Sequence, residues 1–549
     1  MLEPFSNARR WAVALALLTG CAWSTPRGTA GTPQSPGGPA LVVLISVDQL
    51  RADLPLRLMS RFERGGFRRL YEQGVVYDQV NYAHSVTETA VGHATLGTGA
   101  LPRDHGIVSN DWIENGKKVY ATSDESQALV GASSLGMSPS RLLAETLGDV
   151  LVRERPSALL RSVSGKDRAA ILMNGRKGVA YWLEDGTGTF VSSQAYLEQL
   201  PPWAQRYAAS QPAEAYRQKP WQPSARSYSA PEEHAWEGKR SCSDVGCRFP
   251  HSLSTLRGEG YTKALKNTPF GDELTLDFVR QLFAHEPLGR DDVSDVLNLS
   301  FSSTDYIQHS FGPESREAED NLLRLDHLLV ELFELLDDRV GAGRYVIVLS
   351  ADHGACESPE WLKTQGLDAD HVDGTALVAA VNEGLRARFN VGVDLAQEFV
   401  NPSLVLNETR IASLSLDQAA VEQAAVDLAV EFPGVAAAFG RSDLLAGKGS
   451  HPFLQRIVNG THPERSGHVY IVPKEHWLLA TPPARMVAMH GTPWPYDTQV
   501  PIVVWGTGAP AQHVARPVDP RDIAPTLAAL LRVPVPNKST GKALTEALP

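Results

Sequence analysis

Four apolar, β-rich runs lie at 41–47, 296–301, 344–349 and 500–505 and alternate with stretches of helical period. That alternation predicts an α/β fold, a doubly wound and mostly parallel sheet with helices packed on it. The clearest helical stretch is Glu317 to Asp338, where Leu322, Leu325, Leu328, Leu329 and Leu332 recur on one face. Polar residues of particular kinds sit where the apolar runs stop. Asp48 follows the first run, Asp305 follows the second, and Asp352-His353 follow the third across Ser350-Ala351. His309 comes four residues after Asp305, so one helical turn would place both on one face. His490 precedes Gly491 and a loop that leads into the fourth run. In an open α/β sheet the ends of the strands border the ligand crevice, so these distant positions can converge.

Two long stretches, 174–290 and 365–485, interrupt the pattern and are expected to be insertions that cap the crevice of one domain covering 41–549. The first is rich in aromatic residues and proline, including Pro201-Pro202-Trp203, Trp221 and Trp236. It either lines a substrate entrance or packs on its own aromatics. The second holds a helical pattern at Asp417 to Phe432 and a strand-like Gly467 to Val472, which predicts a small α+β lobe.

Arg9-Arg10 followed by the apolar Trp11 to Leu18 has the proportions of a signal-peptide core. Leu18-Thr19-Gly20-Cys21 resembles the bacterial lipobox, so residues 1–21 are expected to be a lipoprotein-type signal segment. Residues 22–40, with their Pro, Gly, Ser and Thr, would then be a flexible tether. The chain is expected to be exported, in the periplasm or anchored at the outer membrane through a lipidated Cys21. Cys242 and Cys247 are close enough in sequence to bridge in such a compartment, whereas Cys356 is expected to be a small buried hydrophobe. A formal net charge of −12 argues against general nucleic-acid binding. A phosphate-bearing substrate would need local positive charge instead.

Three Asp and three His flanking these strands amount to two sets of three N/O ligands, the number a two-metal hydrolytic site requires. A hydroxyl nucleophile can come from the segment Glu88-Thr89-Ala90-Val91-Gly92-His93, which opens a small-residue helical pattern. A hydroxyl at a helix start gains from the positive end of the dipole. Thr87, Thr95 and Thr98 are the alternatives to Thr89 on spacing alone. His93 reads as a support for the turn rather than a ligand.

Taken in order, Val47-Asp48-Gln49, Thr89-Ala90-Val91-Gly92-His93, His105-Gly106-Ile107 with Asn110-Asp111-Trp112, Lys166-Asp167-Arg168, Ser303-Thr304-Asp305-Tyr306 with His309, and Ala351-Asp352-His353-Gly354 form a series. It resembles the alkaline phosphatase superfamily, and more narrowly the Thr-nucleophile, phosphate-irrepressible alkaline phosphatases, relatives of the nucleotide pyrophosphatase/phosphodiesterases. The resemblance runs from about Leu41 to Leu531. It implies hydrolysis of small phosphate monoesters through a covalent phosphothreonine. It also implies two zinc ions per chain, one held by Asp48, Asp352 and His353 beside Thr89, the other by Asp305, His309 and His490. Asn110, Lys166 and Arg168 would contact the non-bridging phosphoryl oxygens. A Lys/Arg pair favours a doubly charged monoester, and in this family picture diesterases tend to lack it. Two readings stand beside this one: a phosphodiesterase or nucleotide pyrophosphatase of the same superfamily, and a non-catalytic zinc- or phosphate-binding surface protein. A sulfatase is disfavoured because no Cys- or Ser-x-Pro-x-Arg segment is found.

Overall fold

In the computed structural model, which describes residues 38–230, 245–246, 248–480 and 486–549, the run Leu41–Val47 is a strand buried along its whole length near the middle of a ten-stranded sheet. Across the sheet the order is Gln512–Val518, Val75–Val80, Ile502–Trp505, Tyr345–Ser350, Leu41–Val47, Asp295–Phe301, Leu160–Ser164, Val179–Glu184, Thr189–Ser193 and Leu129–Val130. The five strands from Tyr345–Ser350 to Val179–Glu184 run parallel. Every residue of the Tyr345–Ser350, Leu41–Val47 and Asp295–Phe301 strands is buried, as expected of a parallel sheet covered on both faces. The α/β class and the helical Glu317–Asp338 stretch are as expected, the latter as a helix over Arg316–Leu336.

The sheet is mixed towards both edges. Ile502–Trp505 runs antiparallel to both of its neighbours. His490 explains this: it lies on the loop before the strand, so the chain enters Ile502 from the carboxyl end of the parallel strands and must run back.

The two interrupting stretches differ in kind. Residues 174–290 were expected to cap the crevice, but Val179–Glu184 and Thr189–Ser193 extend the main sheet. Trp203 and Trp221 fill the core instead of lining an entrance. Trp203 packs against Tyr181 and Phe278 at centroid distances of 6.1 and 5.3 Å. Trp221 is fully buried, and its Nε1 donates to Asp320 at 2.7 Å. The packed reading therefore holds for Trp203 and Trp221. Trp236 lies outside the described residues.

The second stretch is a small α+β lobe. Its antiparallel sheet has the order Ala396–Val400, Ser403–Leu406, Val469–Pro473, Val435–Gly440, packed by the helices Gly374–Phe389 and Gln418–Val430. Leu377, Val381, Leu404, Val421 and Ile471 form a core of its own. The signal segment, the tether up to residue 37, Cys21, and the Cys242–Cys247 pairing lie outside the described residues. Among the described residues no helix is long and apolar enough to cross a membrane, and Cys356 is free and buried.

Candidate metal centre

The end of each central strand delivers its polar residue to one place. Asp48 stands at the end of Leu41–Val47, Asp352 and His353 just beyond Tyr345–Ser350, and Asp305 in the first turn of the helix Ser303–Phe311 that follows Asp295–Phe301. His309 falls one turn later on that helix. The ligand atoms of Asp48, Asp352 and His353 lie within 4.8 Å of one another, and so do those of Asp305, His309 and His490. His353 and His490 stack with their centroids 3.7 Å apart, so the two triads adjoin.

The protein holds these side chains in the form a metal needs. His353 Nδ1 faces Gly354 O at 3.0 Å, His309 Nδ1 faces Ala488 O at 2.7 Å, and His490 Nδ1 faces Thr87 O at 2.6 Å. With Nδ1–H given to a carbonyl, each imidazole turns Nε2 towards its carboxylates. Those Nε2 atoms lie 3.3 Å from Asp352 Oδ2 for His353, and 3.2 and 3.7 Å from Asp305 Oδ1 for His309 and His490. Burial lowers the pKa of both His353 and His490, which favours the neutral ring. Asp48 Oδ1, Asp305 Oδ1, Asp352 Oδ2 and His353 Nε2 are buried with no hydrogen-bond partner. Orphaned buried acceptors of this kind, pointed at one another, fit a divalent cation.

Charge leads to the same conclusion. Lys166 Nζ bridges the triads, 2.7 Å from Asp48 Oδ2 and 2.6 Å from Asp305 Oδ2, with its side chain fully buried. Burial and Asp352 push Asp48 up, while Lys166 and His309, overcoming burial, hold Asp305 well below the usual carboxylate range. Asp48 and Asp305 thus share the one cation Lys166, and Asp352 lies beside them. An uncompensated buried charge costs on the order of several kcal/mol. A dianionic phosphoryl group would worsen the balance, and two divalent ions would reverse it.

Thr89 opens the helix Thr89–Thr98 directly after an extended Glu88. Its Oγ1 lies 3.5 Å from Lys166 Nζ and 3.4 Å from Arg168 Nη2. The other threonines are committed elsewhere. Thr87 Oγ1 bonds Thr492 O and Gly491 N, Thr95 Oγ1 donates to Val91 O, and Thr98 Oγ1 donates to Ala94 O. Gly92 lets this helix press on the strand end, because a Cβ there would meet Asp352 O at 2.1 Å. His93 is no member of either triad; its Nδ1 faces Thr89 O at 2.8 Å and its Nε2 lies 3.1 Å from Ser300 Oγ, which holds the ring beside Asp352.

Two further residues, Glu88 and Tyr120, support the site and were given no role from the sequence. Glu88 is buried, and its Oε2 accepts from Ser109 Oγ at 2.7 Å and Asn110 N at 2.6 Å, while Oε1 accepts from Asn401 Nδ2 of the lobe at 3.2 Å. Asn110 Oδ1 accepts from Ala90 N at 2.9 Å, which leaves its Nδ2 as the free donor beside Thr89. Tyr120, on the hairpin strand Lys117–Tyr120, accepts from Arg168 Nη1 at 3.1 Å and donates to Asp167 at 3.0 Å, so the guanidinium is aimed by a neighbour it does not share charge with. A cavity of about 570 Å³ opens on Thr89, Asn110, Arg168, Asp305, His309 and His490.

The sequence matches the family described as type I phosphodiesterase / nucleotide pyrophosphatase over residues 42–493. It is 33% identical over 534 residues to the alkaline phosphatase PhoV of Synechococcus elongatus, covering 94% of each chain. It is 31% identical over 521 residues to the alkaline phosphatase PafA of Elizabethkingia meningoseptica, covering 93% of this chain and 94% of that one. The crystal structure of wild-type PafA superposes with a TM-score of 0.85, at 31% identity, over 93% of this chain and 99% of the other.

Proposed function

The chain belongs to the type I phosphodiesterase / nucleotide pyrophosphatase family, and within it we propose that this protein is an alkaline phosphatase that hydrolyses small phosphate monoesters by way of a phosphothreonine at Thr89. The observation that carries the reading is the position of Thr89 Oγ1, 3.5 and 3.4 Å from the cationic Lys166 and Arg168 and beside two buried ligand triads. The relatives named as alkaline phosphatases support it.

Thr89 oxygen attacks phosphorus, the Thr89 O–P bond forms, the bond from phosphorus to the alcohol oxygen breaks in line with it, and the proton lost by the Thr89 hydroxyl is balanced by the one taken up by the departing alcohol. Water then cleaves the phosphothreonine, returning the Thr89 hydroxyl and releasing inorganic phosphate. Lys166 and Arg168 bind the non-bridging oxygens as charges, and Asn110 Nδ2 donates to them without adding charge. Asp48, Asp352 and His353 would hold one ion and Asp305, His309 and His490 the other, with Thr89 as a further ligand of the first. Bound there, two zinc ions supply Lewis-acid stabilisation of the oxygens entering and leaving phosphorus. Three N/O protein ligands with an open position suit catalytic zinc. We also propose that the enzyme is exported and held at a membrane through Cys21.

The family description favours a second reading, a phosphodiesterase. A dianionic monoester gains more than a monoanionic diester from two buried cations next to the nucleophile. Measured on matched esters of one alcohol, the wild type is expected to turn over the monoester at least about tenfold faster in kcat/KM. Faster turnover of the diester would establish the second reading.

A further inference from the structure

The cavity above Thr89 has two chemically different sides. One is the polar floor of Thr89, Asn110, Arg168 and the Asp305 triad. The other is apolar and comes from the lobe and the segment after it: Phe399, Leu479, Ala480, Met486 and Met489. A phosphoryl group on the floor fills only a small part of about 570 Å³, so the remaining space is available to the organic part of an ester.

Which part it receives follows from the direction of attack. In-line displacement sets the entering and leaving oxygens on opposite sides of phosphorus. Thr89 enters from one side, so the alcohol leaves towards Asp305, His309 and His490. The apolar side chains flank that triad. Met489 directly precedes His490. Met486 directly precedes Val487, whose N–H donates to His309 O at 2.6 Å. The polar groups at the same mouth are largely engaged already. Ser310 Oγ donates to Asn267 Oδ1 at 3.0 Å, Asn267 Nδ2 donates to Lys263 O at 3.1 Å, and Asn401 gives its Nδ2 to Glu88. Among the described residues that leaves Asn401 Oδ1, which has no donor, and the Tyr306 side chain against five apolar side chains. A polyhydroxylated alcohol would lose hydration there with few partners in return, whereas a ring would gain from burial. Met486 is 42% exposed at the mouth, and an unbranched, polarizable thioether adapts to rings of different shape.

Resting on the phosphomonoesterase reading, we propose that Phe399, Leu479, Ala480, Met486 and Met489 form a leaving-group subsite that selects phosphate monoesters of apolar, ring-bearing alcohols. The test uses phosphonates, which bind but are not hydrolysed, on the zinc-loaded full chain. By calorimetry, 2-phenylethylphosphonate is expected to bind about tenfold or more tighter than methylphosphonate. Met486→Ser is expected to reduce that ratio by about threefold, and Phe399→Ser to bring it near one. Inorganic phosphate, which has no organic group, reports the phosphoryl site separately and keeps its affinity within about twofold. Equal binding of the two phosphonates by the wild type, or an undiminished ratio in Met486→Ser, overturns the proposal. Met486 is exposed, so that variant decides the matter even where Phe399→Ser fails to fold. Failure of the phosphomonoesterase reading would show differently, as no monoester turnover by the same preparation whichever phosphonate binds tighter.

Discussion

Thr89→Ala is expected to lower phosphomonoester turnover by about three orders of magnitude or more while the protein keeps its fold and its metal. The size of the effect follows from the loss of the attacking atom, for which water is a poor substitute. Retention of the fold follows from how little Thr89 Oγ1 does structurally: its partners Lys166 and Arg168 are 3.5 and 3.4 Å away, and both have better contacts elsewhere. Retention of metal follows from the six Asp and His ligands, none of which depends on the hydroxyl. Steady-state kinetics with metal analysis of the same sample would check both halves. Turnover within about tenfold of the wild type would remove Thr89 from the chemistry.

The second large effect is expected from Lys166→Ala combined with Arg168→Ala. Each charge-assisted contact to a developing phosphoryl charge is worth about 10²–10³ in rate, so the pair should cost a monoester on the order of 10³-fold or more. A diester presents one charge fewer to these cations and should lose about tenfold to a hundredfold less. Lys166 also neutralises Asp48 and Asp305 at 2.7 and 2.6 Å, so metal content must be measured alongside to separate loss of substrate binding from a disturbed ligand set. The single change Arg168→Ala helps here, since the guanidinium touches neither carboxylate and is held by Tyr120. Equal losses on the monoester and the diester would mean that these cations do not choose between them.

The parts of this protein written in local chemistry are legible in the sequence. Leu41–Val47 is a seven-residue apolar run and is a seven-residue buried strand. Asp352-His353 follow another such run and lie just beyond the strand Tyr345–Ser350. Asp305 and His309, four apart, lie on the helix Ser303–Phe311. His490 was harder to place, since it precedes its strand, and the antiparallel course of Ile502–Trp505 is the price of delivering it. The supporting residues were beyond reach because their roles depend on distant partners. Glu88 meets Asn401 across 313 positions, and Tyr120 meets Arg168 across 48. One signal for Glu88 was present: a Glu stands where Ser, Thr, Asp or Asn would ordinarily cap a helix, so its carboxylate had to be used elsewhere. Trp221 could have been placed in the core in the same way. Asp320 sits on the buried face of an amphipathic helix and needs a donor, and the indole supplies it.

The proposed chemistry rests on two buried triads acting together at Thr89. Stripping the purified protein with chelator and titrating zinc back while following phosphomonoester turnover tests that most directly. Activity should be absent in the stripped protein and rise to a plateau at two zinc ions per chain, as two sets of three ligands require. Full turnover without metal, or a plateau at a single ion, would contradict it.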